Sequence, residues 1–176
     1  ISSHIRLTAT ELQLVATPGR ERILQKWIDR NKKVLGKYDY IILDTNPSMG
    51  VVNQNAFMAA DSIVLVSDVS KKAIQGAQLF AYLWGEICES MDVEDNTKAL
   101  ILNNCDKRIG LTQNIKEYYQ DDEDFGKILM KNTIPSRVDV KNTEISYLPI
   151  NLTAPNSDSC EAFRTVVSEL KERGVL

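Results

Sequence analysis

The chain has 176 residues, of which 43% are hydrophobic and 26% charged, and a net charge of −3; this is the make-up of one soluble globular domain, residues 1–176, with a sizeable core. No run approaches a membrane span and no signal peptide opens the chain. The acidic balance does not fit a generally basic nucleic-acid binder, so contact with DNA needs a local basic patch.

In chain order, residues 20–35 carry Ile23, Leu24, Trp27, Ile28, Val34 and Leu35 at helical spacing, closed by Gly36 as a left-handed cap. Residues 38–43 are short, β-rich and apolar, as a strand buried on both faces should be. Residues 53–60 predict a short helix, 62–66 a second buried strand, and 72–91 a long helix with Ile74, Leu79, Leu83, Trp84 and Ile87 inward. Residues 98–103 predict a third strand, 111–120 a helix and 127–132 a weaker fourth strand, with the acidic stretch 120–126 as a solvated turn. A last helix runs from about 160 to 173, announced by Asp158 and Glu161 as a capping box and ended by Gly174. Strands alternating with helices give an α/β fold, a doubly wound, mostly parallel sheet with helices on both faces.

Three cysteines, Cys88, Cys105 and Cys160, lie far apart without C-x-x-C spacing. They suit a reducing cytosol better than a disulfide framework or zinc site, and read as small core residues. His4 is the only histidine, which leaves no Ser-His-Asp triad that does not run through it. The chain opens on Ile1, and its first residues read as the middle of a longer sequence, so a fragment is expected.

Asp44 ends the apolar run KYDYIILD and is succeeded by the turn-prone TNPSMG. In parallel α/β proteins ligands sit at the carboxyl ends of strands, so an acid there is a candidate for metal or phosphate chemistry. A strand-end Asp also caps loops through its own backbone, and both readings stand at this point. A phosphate loop, GxxxxGK[ST], does not occur: Gly36-Lys37 and Gly126-Lys127 lack both the earlier glycine and the following Ser or Thr. No GxGxxG occurs either.

The stretch from KYDYIILDTNPSMG to KKAIQGAQLF resembles the core of the ParA/Soj-type partition ATPases, the deviant Walker P-loop family, through Asp44, Thr45, Pro47, Ser48, Asn55, Ala56, Ala60, Asp61 and Gly76. IPSRVDVKNTE from Ile134 is similar to the family's Ile-Pro segment near the adenine base, and Ile1 with Ser3 to Leu7 is similar to an upstream pattern. The resemblance covers nearly the whole chain and implies a P-loop NTPase-like fold, incomplete at the N-terminus because the family's phosphate loop lies upstream of the position of Ile1.

It implies that Asp44 is catalytic and holds Mg²⁺ through water, and that Thr45, Asn46, Pro47, Ser48 and Gly50 form a switch sensing the γ-phosphate of ATP. Asn104, Asp106, Arg108 and Pro135 are the nucleotide-binding candidates. Lys127, Lys131, Arg137 and Lys141 are the DNA-binding candidates. The implied function is an ATP-dependent plasmid or chromosome partition protein in the cytoplasm, associated with the nucleoid. It would form a homodimer with ATP, bind DNA nonspecifically and answer to a ParB-like centromere-binding partner. This chain alone is expected to be inactive. The alternative is a truncated or degenerate non-catalytic interaction module. A membrane-bound relative of the MinD type would need a basic amphipathic tail, which KERGVL does not supply. Two residues depart from the family pattern: Asn46 stands where a Pro-Pro pair is usual, and Asp139, between Arg137 and Lys141, stands where relatives often carry a basic residue.

Overall fold

A computed structural model describes residues 11–14, 16–106 and 110–176. The chain divides into two compact units, one comprising Ile1–Ile63 and Phe80–Asn96, the other Val64–Leu79 and Thr97–Leu176.

In the first unit a 3-10 turn, Arg20–Arg22, leads into α1 (Ile23–Arg30) and α2 (Lys32–Leu35). One helix over 20–35 was expected, and it breaks at Asn31. The Asn31 side-chain amide donates to the carbonyl of Trp27 at 2.8 Å, a local bond of the kind that competes with helix continuation. Gly36 closes α2 at φ −65°, right-handed and not the left-handed cap expected.

Residues 38–43 form no strand. Tyr38, Tyr40, Ile41 and Ile42 are exposed, Ile42 by 85%, and Leu43 is half-buried. A buried strand requires neighbours that take up its main-chain groups and cover its faces, and among the described residues no strand pairs with this segment.

Helix α3 (Val51–Ala59) starts two residues before the expected position, with Gly50 at its N-cap. Its Asn55 is buried and ties the helix to the start of α1: Oδ1 accepts from the Leu24 N–H at 3.0 Å and Nδ2 donates to the Arg20 carbonyl at 2.6 Å. Phe57 meets Phe80 and Trp84 edge-on, each at 5.4 Å between centroids, which builds the apolar centre of this unit.

Strand β1 (Ile63–Asp68), helix α4 (Lys71–Met91) and strand β2 (Thr97–Asn103) come next, and the two strands pair in a parallel sheet. Val66 is exposed, so β1 is not buried on both faces as expected; among the described residues β2 is its only strand neighbour. Leu79, expected inward on α4, is also exposed, while Trp84 and Cys88 form the buried stripe.

β2 is apolar on both faces. Ala99 and Ile101 join Met130, Ile134, Val166 and Leu170 in the core of the second unit, and Leu100 and Leu102, which alternate with them, are fully buried. Beyond β2 come α5 (Leu111–Asp121) and the four-residue α6 (Phe125–Ile128).

The fourth strand expected over 127–132 is replaced by two isolated parallel bridges, Leu129 to Leu100 and Pro135 to Cys105, with Lys127 and Ile128 in α6. Glu169 explains the interruption. Its carboxylate accepts the N–H groups of Lys131 and Asn132 at 2.9 and 3.0 Å, so those amides bond a helix side chain and not a ladder.

Helices α7 (Val138–Ser146) and α8 (Ile150–Thr153) were not foreseen; VDVKNTEIS lacks an apolar stripe of helical period. The last helix, α9 (Asp158–Glu172), is N-capped by Ser157, whose Oγ accepts from the Cys160 N–H at 3.1 Å, and not by Asp158 as expected. Asp158 sits in the first turn, where its charge favours the helix dipole. Gly174, at φ +68°, ends the chain's last turn as expected.

Candidate functional site

Asp44 lies at the end of the exposed apolar segment and is itself exposed. Among the described residues no donor holds its carboxylate, which leaves both oxygens available to water or a hard cation. The loop after it is held by two side chains of α3: Gln54 Nε2 donates to the Met49 carbonyl at 2.8 Å, and Asn53 makes the larger set of bonds. Asn53 on α3 is 4% exposed. Its Nδ2 reaches the Asn46 carbonyl at 2.6 Å, Asn46 Oδ1 at 2.8 Å, the Ser48 carbonyl at 2.8 Å and Ser48 Oγ at 3.1 Å. An amide nitrogen carries two protons, so these four acceptors share them in a bifurcated clasp.

The loop closes on itself as well: the Ser48 N–H donates to the Asn46 carbonyl at 2.8 Å and Ser48 Oγ to Asn46 Oδ1 at 3.1 Å. Asn46, the departure from the family's proline pair, therefore supplies two of the oxygens that Asn53 grips. A Cβ at Gly50 would meet the Glu11 carboxylate, the end of a flexible side chain that can swing aside, so space alone does not demand glycine there. Among the described residues no group of three or more His, Cys, Asp or Glu could hold a metal. An ion at Asp44 would be bound by one carboxylate plus water and phosphate, a donor set that suits Mg²⁺.

In the second unit, the carboxyl ends of the strands carry Asp68 and Asn103, with Asn103 Nδ2 donating to Asp68 Oδ1 at 3.4 Å. The chain then turns through Asn104, exposed and left-handed at φ 55°. The Cys105 N–H donates to the Ile134 carbonyl and the Ser136 N–H to the Cys105 carbonyl, each at 2.9 Å. This brings two sequence-predicted nucleotide segments, Asn104 with Asp106 and Pro135, side by side. The Asp106 carbonyl accepts from Thr112 Oγ1 at 3.0 Å, which ties the loop to α5. Arg108 and Lys107 lie outside the described residues. Burial pushes the Cys105 thiol up against smaller opposing effects from Thr133 and Lys116, so it stays protonated. Behind the loop, Ser67 and Tyr119 share a buried hydroxyl pair at 2.9 Å.

The four basic candidates do not form one cluster. Lys127 pairs with Asp124 at 3.4 Å and precedes the Leu129 bridge. Lys131 comes just after that bridge, its carbonyl accepting from Lys116 Nζ at 3.2 Å. Arg137 and Lys141 come after the Pro135 bridge, at the start of α7. The first bridge is made at Leu100 within β2 and the second at Cys105, past the turn at Asn104, so the two pairs of cations attach at different points of the chain. Asp139 is structural: Ser159 Oγ donates to it at 2.8 Å. Burial acts to raise its pKa, but bonds from Ser159 and Ser157 outweigh that and hold the carboxyl below its ordinary value.

A family model described as an AAA domain matches residues 1–98. The chain belongs to the AAA-domain family. It is a ParA/Soj-type member. It is 26% identical to the sporulation initiation inhibitor protein Soj of Bacillus subtilis over 99% of this chain and 67% of Soj. It is also 26% identical to the chromosome partitioning protein ParA of Myxococcus xanthus, over 95% of this chain and 57% of that protein. Among solved structures, a putative plasmid partition protein from Borrelia burgdorferi B31 bound to AMPPNP matches with a TM-score of 0.63 at 19% identity, over 95% of this chain and 61% of that one. That likeness establishes the P-loop NTPase-like fold. The chain spans 53% to 67% of the length of these and other curated relatives.

Two residues that matter in this ParA/Soj-type protein were missed in the sequence. Asn53 left a signal, being a poor helix former inside the otherwise apolar VVNQNAFMA. Glu169 left another, a charge in the apolar stripe of α9 with Arg173 four residues on. Its carboxylate takes Asn132 Nδ2 at 2.8 Å and Arg173 Nη2 at 2.8 Å in addition to the two main-chain bonds. Arg173 in turn donates to the Ile128 and Leu129 carbonyls at 3.2 and 2.7 Å.

Proposed function

We propose that this chain is the C-terminal portion of a ParA-like ATPase domain, working in ATP-dependent partition of plasmid or chromosome. The protein dimerises with ATP, binds DNA without sequence preference on the nucleoid in the cytoplasm, and hydrolyses ATP when stimulated by a ParB-like centromere-binding partner. The observation that supports this most is the clasp of Asn53 on Asn46 and Ser48, directly after an unpartnered Asp44. A loop held by side-chain bonds from one helix has two available states, gripped and released, which is what a γ-phosphate sensor requires.

In this reading Asp44 holds Mg²⁺ through water, and the ion supplies charge neutralisation at the phosphates. Thr45, Asn46, Pro47, Ser48 and Gly50 are the switch. Asn104, Asp106, Arg108 and Pro135 serve the base. Lys131, Arg137 and Lys141, with Lys127 once it leaves Asp124, meet DNA phosphates. Among the described residues no helix is long and apolar enough to cross a membrane.

In the full-length protein Asp44→Ala is expected to lower Mg²⁺-dependent ATP turnover by orders of magnitude while leaving the fold intact, since several kcal/mol of transition-state stabilisation is at stake. Turnover near the wild-type rate would refute the assignment. For DNA, replacing Lys127, Lys131 and Arg137 together by Ala is expected to flatten the dependence of log affinity on log salt by roughly 0.9 per lost contact, with basal hydrolysis unchanged. An unchanged slope would place the DNA contact elsewhere.

The second reading is a truncated or degenerate non-catalytic interaction module. The reading frame upstream decides between the two: an intact phosphate loop there supports the ATPase, and its absence supports the module.

A further inference from the structure

Residues 20–37 carry seven of the chain's 21 Lys and Arg residues against two acids, Glu21 and Asp29, so this stretch is +5 where the rest of the chain sums to −8. Both acids are paired within the stretch, Glu21 with Arg20 and Asp29 with Lys32, each at 2.9 Å. Among the described residues no ion pair involves Lys26, Arg30 or Lys33, and all three are exposed. Lys26 and Arg30 stand four residues apart on α1, where like charges repel. Positive charge is therefore concentrated on this surface without a counterpart among the described residues.

The same face is also apolar. At 3.6 residues per turn Ile23, Lys26, Trp27 and Arg30 fall within about 100° of arc, and all four are exposed, Ile23 by 40% and Trp27 by 44%. Leu24, Gln25 and Ile28, elsewhere on the helix, are half-buried, and the Leu24 N–H is tied to Asn55 of α3. Helix α2 continues the mixture, with exposed Lys33 next to Val34, which is 62% exposed. A solvated charged helix face carries polar residues between its cations, not Trp and Ile.

We propose that α1 and α2 form a peripheral docking surface for an anionic lipid bilayer, with Lys26, Arg30 and Lys33 at the headgroup phosphates and Ile23, Trp27 and Val34 in the boundary layer beneath them. Cations and apolar side chains mixed on one exposed helix face match a surface that offers negative charge and hydrocarbon together. Trp suits that boundary because its ring is amphipathic. Duplex DNA offers phosphates but no apolar layer, and would leave Ile23 and Val34 against hydrated charge. The inner side of α1 packs within its own unit, so attachment is shallow, reversible and mostly electrostatic. It is independent of the partition reading, since none of these residues is a switch, nucleotide or DNA candidate.

Flotation of the full-length protein with vesicles of phosphatidylcholine containing about 30% phosphatidylglycerol, against pure phosphatidylcholine, tests this. Binding is expected to the anionic vesicles alone, and is expected to fall as salt rises. Lys26→Gln, Arg30→Gln and Lys33→Gln together, three exposed changes that leave the fold intact, are expected to weaken binding roughly a hundredfold, about fivefold for each basic residue at an anionic surface. Brominated lipid is expected to quench part of the tryptophan fluorescence. That part is expected to vanish in Trp27→Phe, since Trp84, 1% exposed, is out of the lipid's reach. Duplex DNA is the competing polyanion. Equal binding to both vesicles, unchanged affinity in the triple variant, or quenching that persists in Trp27→Phe would overturn the proposal. So would a triple variant that loses affinity for duplex DNA while the wild type ignores the vesicles.

Discussion

Residues 38–43 and Thr97–Asn103 are both short, β-rich and apolar, yet Ile42 is 85% exposed whereas Leu100 and Leu102 are fully buried. β2 has β1 on one side and the 129–135 segment on the other; the earlier segment has no strand neighbour among the described residues. Apolar, β-branched composition fits a residue to a pleated half-buried surface. It does not supply the surface, and the same local signature is realised or left open according to what lies alongside.

The largest expected effect comes from that contrast. Leu102→Ala is expected to cost about 2–5 kcal/mol, because it leaves a cavity in a filled core. Ile42→Ala in the 176-residue chain is expected to change stability by less than about 0.5 kcal/mol. Urea unfolding of both variants checks this, and comparable losses would mean that residues 38–43 are buried in solution.

Glu169 sharpens the contrast from the other side, since it is what anchors the segment beside β2. Glu169→Ala is expected to cost about 2–3 kcal/mol, by leaving the Lys131 and Asn132 amides and Arg173 without their acceptor. Burial acts to raise the Glu169 pKa, but the bonds from Lys131, Asn132 and Arg173 outweigh it and hold the carboxyl below its ordinary value of 4.5. A depressed folded-state pKa means stability that is present above pH 4.5 and is lost as pH falls through the folded value. Glu169→Gln should flatten that acid limb. An acid profile identical to the wild type would remove Glu169 from this role.

Asn53→Ala is expected to cost about 1–2 kcal/mol, with the loop from Asn46 to Ser48 released. The smallest effect distinguishes two neighbouring caps: Ser157→Ala is expected to lose about 1 kcal/mol and Asp158→Ala a few tenths. Equal losses in thermal unfolding would restore Asp158 as the cap.

These contrasts also show what the sequence discloses. The pattern β1, α4, β2 and α9 was legible because each has a strong local period and an end signal, as Gly174 illustrates. The Asp44 loop was legible through its family resemblance. The clasp was not, because Asn53 acts on atoms five to seven residues back through tertiary geometry. The fourth strand was misplaced because Glu169, 38 and 37 residues beyond Lys131 and Asn132, takes two of its amides. Helix α7 was unseen because its stability comes from contacts such as Asp139 to Ser159 and not from a stripe of its own.

The central claim, that the loop after Asp44 is a switch answering to nucleotide, is tested most directly by amide hydrogen exchange across residues 38–50 in the full-length protein, with and without Mg²⁺ and ATP. The account predicts slower exchange at residues 45–50 when both are present, no change at residues 99–102, and loss of the response in Asp44→Ala. Unchanged exchange at residues 45–50 on saturating nucleotide, or slowing that persists in Asp44→Ala, would contradict it.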